Sequence, residues 1–265
     1  MQLRRMLMTA AFALLATGAQ AQLIVGTDDS ASPTIYHIDV SNSDATPLFV
    51  GSAAIAWGMA YDHDTNTLYW NNGSTLYSSP FSIAGLTPTN LGTMTFNAAT
   101  VNFVGLGYRN GKLLGTRNIA TEAVYEIDPG TLQATQLYVY PSAFDFGGID
   151  VDMTTTLLFG LNDATGGQGR GLYEIDTNAM TTTLRAPYPV GETDIDGLAC
   201  YNGLAYYVID QPGFFYIYDI ASGNQVGTLD SPFPGSEVFS AAAYVPDAPV
   251  SIESTSWGDI KSRFR

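Results

Sequence analysis

The sequence predicts an all-β protein, specifically a five-bladed β-propeller of four-stranded antiparallel blades. Three observations support this prediction. A unit of 43 to 49 residues recurs between residues 22 and 247. Each full copy holds four short apolar segments separated by turn residues, which is the pattern of a propeller blade. The first and last copies are both incomplete, and each supplies the segments that the other lacks.

The first strand of each copy is made of small residues. These predicted strands begin at Gly or Ala and span residues 58–61, 105–108, 148–151, 197–200 and 241–244. Small residues suit the innermost strand of a blade, because five such strands crowd around one axis. Asp150 is the exception, since the aligned residues of the other four copies are Gly or Ala. A buried carboxylate is costly when alone, so we expect Asp150 to be hydrogen-bonded, protonated or metal-bound.

Three further strands follow each of the first four inner strands. Asn-Gly pairs at 110–111 and 202–203 are typical of the two-residue hairpin turn that leads into a second strand. A third, aromatic-rich strand ends on an aspartate, as in residues 173–176, and a fourth strand comes after it. Aspartate accepts backbone N–H bonds at turns, so we expect this repeated residue to be structural.

The two ends of the repeat predict how the ring closes. Residues 23–50 provide a second, third and fourth strand without a first, whereas residues 241–244 provide a first strand with nothing after it. We therefore expect the C-terminal strand to pair with the N-terminal blade. This pairing would also cover a sheet edge that otherwise invites aggregation.

The segments outside the repeat carry targeting features. Residues 1–21 are predicted to be a signal peptide of Gram-negative type, with Arg4 and Arg5, an apolar run at 6–17 and an Ala-Gln-Ala site at 19–21. The run is too short for a permanent membrane anchor, and no transmembrane segment is predicted elsewhere. We expect the protein to be secreted or periplasmic, or to be attached to the cell surface.

Residues 248–265 are predicted to be a linker and a short aromatic-basic tail. Trp257, Ile260 and Phe264 would share one face of a helix there. The tail resembles the short aromatic-basic C-termini of other exported bacterial proteins, which implies docking on a sorting or surface partner. Plain disorder of a chain end is the alternative.

Charge and composition exclude several functions. The chain has 25 acidic and 10 basic residues, for a net charge of −15. Nucleic acid and anionic lipid are therefore excluded as partners, because phosphate binding needs a basic surface. The single cysteine, Cys200, excludes an intrachain disulfide, and two histidines exclude a histidine-rich metal site.

The blade pattern resembles the YVTN/NHL-like repeats of secreted bacterial β-propeller proteins. The resemblance rests on residues 58–62 (Gly-Met-Ala-Tyr-Asp), 68–69 (Leu-Tyr) and 173–177 (Tyr-Glu-Ile-Asp-Thr). It extends over nearly all of residues 22 to 247 and implies the propeller fold. It implies no particular ligand, because such repeats serve unrelated functions.

The topology brings acidic and aromatic loop residues to one rim of the ring. The links into each inner strand share this rim with the loops between second and third strands. We predict a shallow, acidic, aromatic-lined pocket for a glycan, a peptide or a protein. The candidate ligand-binding residues are Asp145, Phe146, Asp150, Glu192, Asp194, Asp196 and Phe239.

Other interpretations of the rim stay open. Calcium could assist binding, because it prefers several oxygen ligands of this kind; otherwise no cofactor is expected. The alternative function is a glycoside hydrolase using Asp150, Asp194 and Glu237, since hydrolysis needs flanking carboxylates. The short, regular blades favour a binding module over an enzyme. In a third interpretation the loops are merely solvated, the aromatic rings fill gaps between blades and the protein has no small ligand.

Overall fold

A computed structural model describes residues 22–28, 31–119, 122–140, 144–165, 167–209, 213–232 and 238–246. The predicted signal peptide at 1–21 and the tail at 248–265 lie outside these residues. Glu237, a candidate of the hydrolase alternative, also lies outside them.

Short strands and one 3-10 turn (Ser52–Ala54) make up the regular structure of this part of the chain. The strands of the first half are β1 (Gln22–Thr27), β2 (Thr34–Asp39), β3 (Ala45–Val50), β4 (Gly58–Asp62), β5 (Thr67–Asn72), β6 (Thr75–Pro80), β7 (Thr89–Thr93), β8 (Thr95–Phe96), β9 (Ala99–Thr100), β10 (Gly105–Arg109), β11 (Lys112–Thr116) and β12 (Ala123–Ile127). Those of the second half are β13 (Ala134–Val139), β14 (Phe146–Val151), β15 (Leu158–Asn162), β16 (Gly171–Asp176), β17 (Thr181–Pro187), β18 (Gly197–Tyr201), β19 (Leu204–Val208), β20 (Phe214–Asp219), β21 (Asn224–Asp230) and β22 (Phe239–Val245).

The strands form five four-stranded antiparallel sheets, which are the blades of a β-propeller. Blade 1 has the order β22-β1-β2-β3, and blades 2 to 5 are β4–β7, β10–β13, β14–β17 and β18–β21. A small β8-β9 hairpin lies in the link between blades 2 and 3. The predicted fold class and blade number are confirmed.

Ring closure also follows the prediction. Strand β22 pairs antiparallel with β1, with Gln22 opposite Val245, Leu23 opposite Tyr244 and Ile24 opposite Ala243. The two ends of the propeller therefore share one sheet, and β22 is its innermost strand. Packing also closes the ring on both sides, because β22 contacts the inner strands β18 and β4.

The small residues of the inner strands are required by close approach between neighbouring blades. A Cβ atom on Gly58 would lie 2.7 Å from the backbone nitrogen of Leu106 and 2.8 Å from the carbonyl carbon of Gly105. Real Cβ atoms almost never approach another atom within 3.0 Å. The Gly and Ala pattern of the sequence is thus a steric requirement of the five-fold ring.

The core lies between the blades and contains one position that recurs in every repeat. This position is two residues before the Gly or Ala that opens each predicted inner strand, and its side chain is almost fully buried in all five copies. The five residues are Ala56, Phe103, Phe146, Ile195 and Phe239. Glycines on second strands make room for the larger rings, since a Cβ on Gly115 would lie 2.6 Å from the Phe103 ring and one on Gly160 2.5 Å from Phe146.

The aspartate that recurs at the end of the third strand in four of the five blades is structural, as expected, whereas β6 of blade 2 ends on Pro80. Asp176 Oδ1 accepts the backbone N–H groups of Asn178 and Ala179, both at 2.8 Å. Asp128 Oδ1 likewise accepts N–H bonds from the two residues of its turn. These bonds satisfy turn donors that no strand can pair. They also lower the pKa of Asp176, because the ionised carboxylate is the better acceptor.

Among the residues that the structure describes, no helix has the length and apolar character needed to cross a membrane.

Candidate functional site

Five equivalent residues surround the axis at one end of the ring. Each directly precedes the Gly or Ala that opens a predicted inner strand. The residue before it occupies the recurrent core position, so this residue points to the other side, away from the core. The five residues are Trp57, Val104, Gly147, Asp196 and Ser240, and all of them line one cavity of about 500 Å³. We call this cavity the acidic opening, because of its other lining residues.

Five carboxylates line the acidic opening. They are Asp28, Asp145, Asp163, Asp194 and Asp196, and Asn118 completes the wall. Asp145, Asp194 and Asp196 come from links into inner strands, whereas Asp28 and Asp163 come from loops between second and third strands. The topology therefore brings the predicted link acids to one place, together with two acids that we did not predict.

Three of these carboxylates lie close enough to share one cation. One oxygen each from Asp163, Asp194 and Asp196 lies within 4.8 Å of the other two. Burial, reinforced by the negative charges of Asp145 and Asp194, raises the pKa of Asp163 to about 6. The same acidic surroundings, together with burial, raise the pKa of the nearby Tyr188 hydroxyl. Hard carboxylate oxygens are the donors that Ca²⁺ prefers, so the donor set fits this ion.

A further carboxylate, Glu122, is buried behind the wall of the opening. Its Oε2 accepts the backbone N–H of Phe146 at 3.2 Å, and its side chain also hydrogen-bonds to Asp145. Burial, with smaller contributions from Asp145 and Asp163, raises the pKa of Glu122 to about 8. Two carboxyl groups can hydrogen-bond only when one of them carries a proton. Glu122 lies just before a third strand, and no repeat pattern marks it as a site residue.

Asp150 is partnered, which was one of the three states expected for it. Its side chain is only 7% exposed, and Oδ2 accepts the backbone N–H of Cys200 at 2.7 Å. This bond joins the inner strands of blades 4 and 5. Burial raises the pKa of Asp150. Asp150 is absent from the residues that line the acidic opening, and its observed contact is structural.

The positions of Phe146 and Phe239 correct the expected aromatic lining. The two side chains are 0% and 1% exposed, because they occupy the recurrent core position between blades. Phe146 stacks on Phe144 with ring centroids 5.0 Å apart, and Phe239 packs edge-on against Phe215 at 5.5 Å. The aromatic residue that lines the acidic opening is Trp57, which the sequence analysis did not select.

Glu192 lies on the same rim but does not line the opening. Its Oε1 accepts a hydrogen bond from the Tyr216 hydroxyl at 2.8 Å. Burial and this contact raise the pKa of Tyr216 to about 12. Glu237, the third acid of the hydrolase hypothesis, lies outside the described residues.

A second cavity adjoins the acidic opening. Its volume is about 410 Å³, and it shares Trp57, Val104 and Asn118 with the opening. The remaining lining residues are Thr100, Asn102, Arg117 and Ile119. This cavity, which we call the Arg117 cavity, has no carboxylate among the residues that line it.

The fold and this site define a closed five-bladed β-propeller with an acidic axial opening. The chain is similar to one in a crystal structure of a nidogen/laminin complex, with a TM-score of 0.59 and 11% identity over 84% of this chain and 98% of that one. It is also similar to TolB from Acinetobacter baumannii, with a TM-score of 0.53 and 11% identity over 86% of this chain and 67% of that one. At this identity the likeness shows the fold alone. No protein-family model matches the sequence, and no curated protein matches it.

Proposed function

We propose that this protein is an exported binding module that holds a protein or peptide partner at the acidic opening. The observation that carries the proposal is the convergence of five aspartates on one axial cavity. A basic side chain of the partner would enter this cavity and offset the mutual repulsion of the carboxylates. One structural neighbour comes from a complex between two proteins, nidogen and laminin, which is compatible with a propeller acting as a protein-binding surface.

Trp57 adds an apolar surface beside the charges. The indole is half-buried and lines both cavities, so it is held in place while one part of it stays accessible. Tryptophan is enriched where protein partners bind, because it buries a large area at a small cost in side-chain entropy. It could also stack on a sugar ring, so a glycan stays an alternative ligand of the same site.

Replacing Asp194 and Asp196 together by asparagine is expected to weaken the binding of a basic peptide about tenfold at low salt. The probe is the N-acetylated, amidated hexapeptide GKGQGG, with the equally blocked GQGQGG as its neutral counterpart, measured by surface plasmon resonance on the immobilised protein. The control is Asp64→Asn, which removes an exposed carboxylate from a hairpin on the opposite face. Equal affinity of the wild type for both peptides would contradict the proposal.

A glycan assay separates the binding module from the hydrolase alternative. Incubating the wild type and the Asp194→Asn variant with a panel of oligosaccharides is expected to give no turnover by either protein. Hydrolysis by the wild type that is lost in a folded Asp194→Asn variant would instead favour the enzyme.

Calcium at Asp163, Asp194 and Asp196 is the second part of the proposal. Burial and the repulsion from Asp145 and Asp194 raise the pKa of Asp163, and bound Ca²⁺ would offset that repulsion. Calcium at about one hundred times its dissociation constant is then expected to stabilise the fold by about 2.7 kcal/mol. Differential scanning calorimetry with and without CaCl₂ measures this as an increase in Tm, which Asp194→Asn should abolish and Asp64→Asn should retain. An unchanged Tm in millimolar CaCl₂ would rule out a calcium site that stabilises the protein.

A further inference from the structure

Arg117 has no ionic partner among the residues that the structure describes, although the protein is strongly acidic. Three salt bridges are present in the part of the chain that the structure describes, and none involves Arg117. Its Nε is buried and donates no hydrogen bond to any of these residues. The guanidinium charge is therefore unpaired within the described residues, and Arg117 lines a cavity in which an anion could pair with it.

The fold holds this guanidinium in place. The Arg117 Cζ atom lies 5.6 Å from the centroid of the Tyr125 ring, in a cation–π contact. Tyr125 is itself 2% exposed and packs edge-on against Phe96 and Phe103. The cation therefore rests on an immobile aromatic surface at the end of β11, which reduces the entropy that a bound anion would have to offset.

The lining of the Arg117 cavity matches a carboxylate. Asn102, Asn118 and Thr100 contribute amide and hydroxyl donors around the guanidinium, and no acidic residue lines the cavity. A planar guanidinium binds a carboxylate through two parallel hydrogen bonds, and neutral donors can complete the coordination of its oxygens. The acidic opening has the opposite character. Trp57, Val104 and Asn118 form the wall between the two.

We propose that the Arg117 cavity is a second subsite, which binds a carboxylate of the same ligand whose basic group enters the acidic opening. This inference rests on the proposed function and specifies the ligand further, as a peptide segment with a basic and an acidic group close in sequence. Extended peptide advances about 3.3 Å per residue, so a separation of about two to four residues spans two adjoining cavities of this size. The carboxylate belongs either to an acidic side chain or to the C-terminus of the partner.

Three hexapeptides test the subsite and distinguish the two carboxylate sources. The probes are amidated GKGEGG, amidated GKGQGG, in which uncharged glutamine replaces glutamate, and GKGQGG with a free C-terminal carboxylate. All three are again measured by surface plasmon resonance. In the wild type, amidated GKGEGG or the free acid is expected to bind about five- to tenfold tighter than amidated GKGQGG. This preference is expected even though the added carboxylate makes the peptide less basic and the protein is acidic.

Variants at Arg117 complete the test. Arg117→Gln should remove the preference, so that amidated GKGEGG and amidated GKGQGG bind with similar affinity, and Arg117→Glu should reverse the preference. Arg109→Gln, which removes an arginine from the opposite face, should leave the preference intact. Circular dichroism melts of each variant establish that it is folded.

The possible failures are distinguishable. Binding of amidated GKGQGG that depends on Asp194 and Asp196, with no gain from either carboxylate, would overturn the subsite and leave the proposed function standing. A preference that persists in Arg117→Gln would also overturn the subsite. No binding of any of the three peptides to the wild type would overturn both.

Discussion

The Gly148→Ala variant is expected to lose about 3 kcal/mol or more of folding stability. A Cβ on Gly148 would lie well within 3.0 Å of the carbonyl oxygen of Asp196, and 3.0 Å from the backbone nitrogen of Leu198. Both atoms belong to the chain entering the inner strand of the next blade. Backbone cannot rotate away as a side chain can, so the ring must expand or the two strands must separate. Urea unfolding followed by circular dichroism measures the change.

Gly227→Ala is the matched control for this experiment. Gly227 lies on the outer strand β21, where a Cβ would lie 3.4 Å or more from the Ile217 side chain, which is ordinary contact. This variant is expected to change stability by less than about 1 kcal/mol, because alanine also restricts the unfolded chain. Similar losses in the two variants would contradict the steric explanation for small residues near the axis. If Gly148→Ala does not fold at all while Gly227→Ala does, the explanation is supported.

Folding stability is expected to increase as the pH falls from 8 to about 5. Glu122 has a folded-state pKa of about 8 against an ordinary value of 4.5, so between these values the folded protein holds a proton that the unfolded chain has released. The stabilisation is complete below about pH 4.5 and is lost as the pH rises towards 8. The pKa of Asp163 is raised from 3.8 to about 6, so protonation of Asp163 also increases folding stability as the pH falls, over a lower pH range. Glu122 alone is expected to account for roughly 2–4 kcal/mol.

The Glu122→Gln variant isolates this effect from the general repulsion of an acidic protein. Glutamine keeps an oxygen acceptor for the N–H of Phe146 but cannot ionise. Its Tm should exceed that of the wild type at pH 8, and the difference should vanish near pH 4.5. Thermal melts in EDTA at a series of pH values measure it, with Glu126→Gln on the strand that follows Glu122 as the control. Parallel Tm profiles for Glu122→Gln and the wild type would show that Glu122 is not the responsible group.

Acidification below about pH 4 is expected to reverse this trend. The turn aspartates Asp176 and Asp219 have lowered pKa values. The carboxylate of Asp176 accepts backbone N–H bonds, and that of Asp219 accepts hydrogen bonds from the hydroxyl and the backbone N–H of Ser222. Their contribution is present above the ordinary pKa of 3.8 and is lost as the pH falls through the lower folded values. Stability should therefore be greatest in weakly acidic solution.

The architecture was accessible to sequence reasoning because its signals are periodic. Strand β18 occurs where residues 197–200 were predicted, and the pairing of Leu23 with Tyr244 confirms closure by the two incomplete copies. Each of these features follows from local pattern and from the need to cover sheet edges. The structural role of the repeated turn aspartate followed from its place between two strands in the same way.

The side-chain directions within the links were harder to predict. Phe146 and Phe239 fall two residues before the Gly or Ala of an inner strand and are buried, whereas Trp57 and Asp196 fall one residue before it and face the axis. An alignment of all five repeats could have revealed this alternation, because the residue two before the Gly or Ala of the inner strand is hydrophobic in each copy. Without this alternation, residue type alone favoured Phe146 and Phe239 over Trp57 as lining residues.

Other features of the site have no sequence signal. Glu122 becomes a partner of Asp145 only through the fold, and Arg117 is placed by its contact with Tyr125. Both arrangements depend on loops whose course no repeat pattern constrains. Asp28 and Asp163 are intermediate cases, since their loops were assigned to the correct rim but their side chains were not selected.

The pairing of Gln22 with Val245 determines on which face of the propeller a fused partner is attached. Strand β22 runs from the acidic opening, where Ser240 lies, to Val245 at the far end of the ring, so Gln22 and Val245 both lie on the face opposite the opening. A partner joined to the propeller directly at Gln22 or Val245 would therefore be attached on that opposite face.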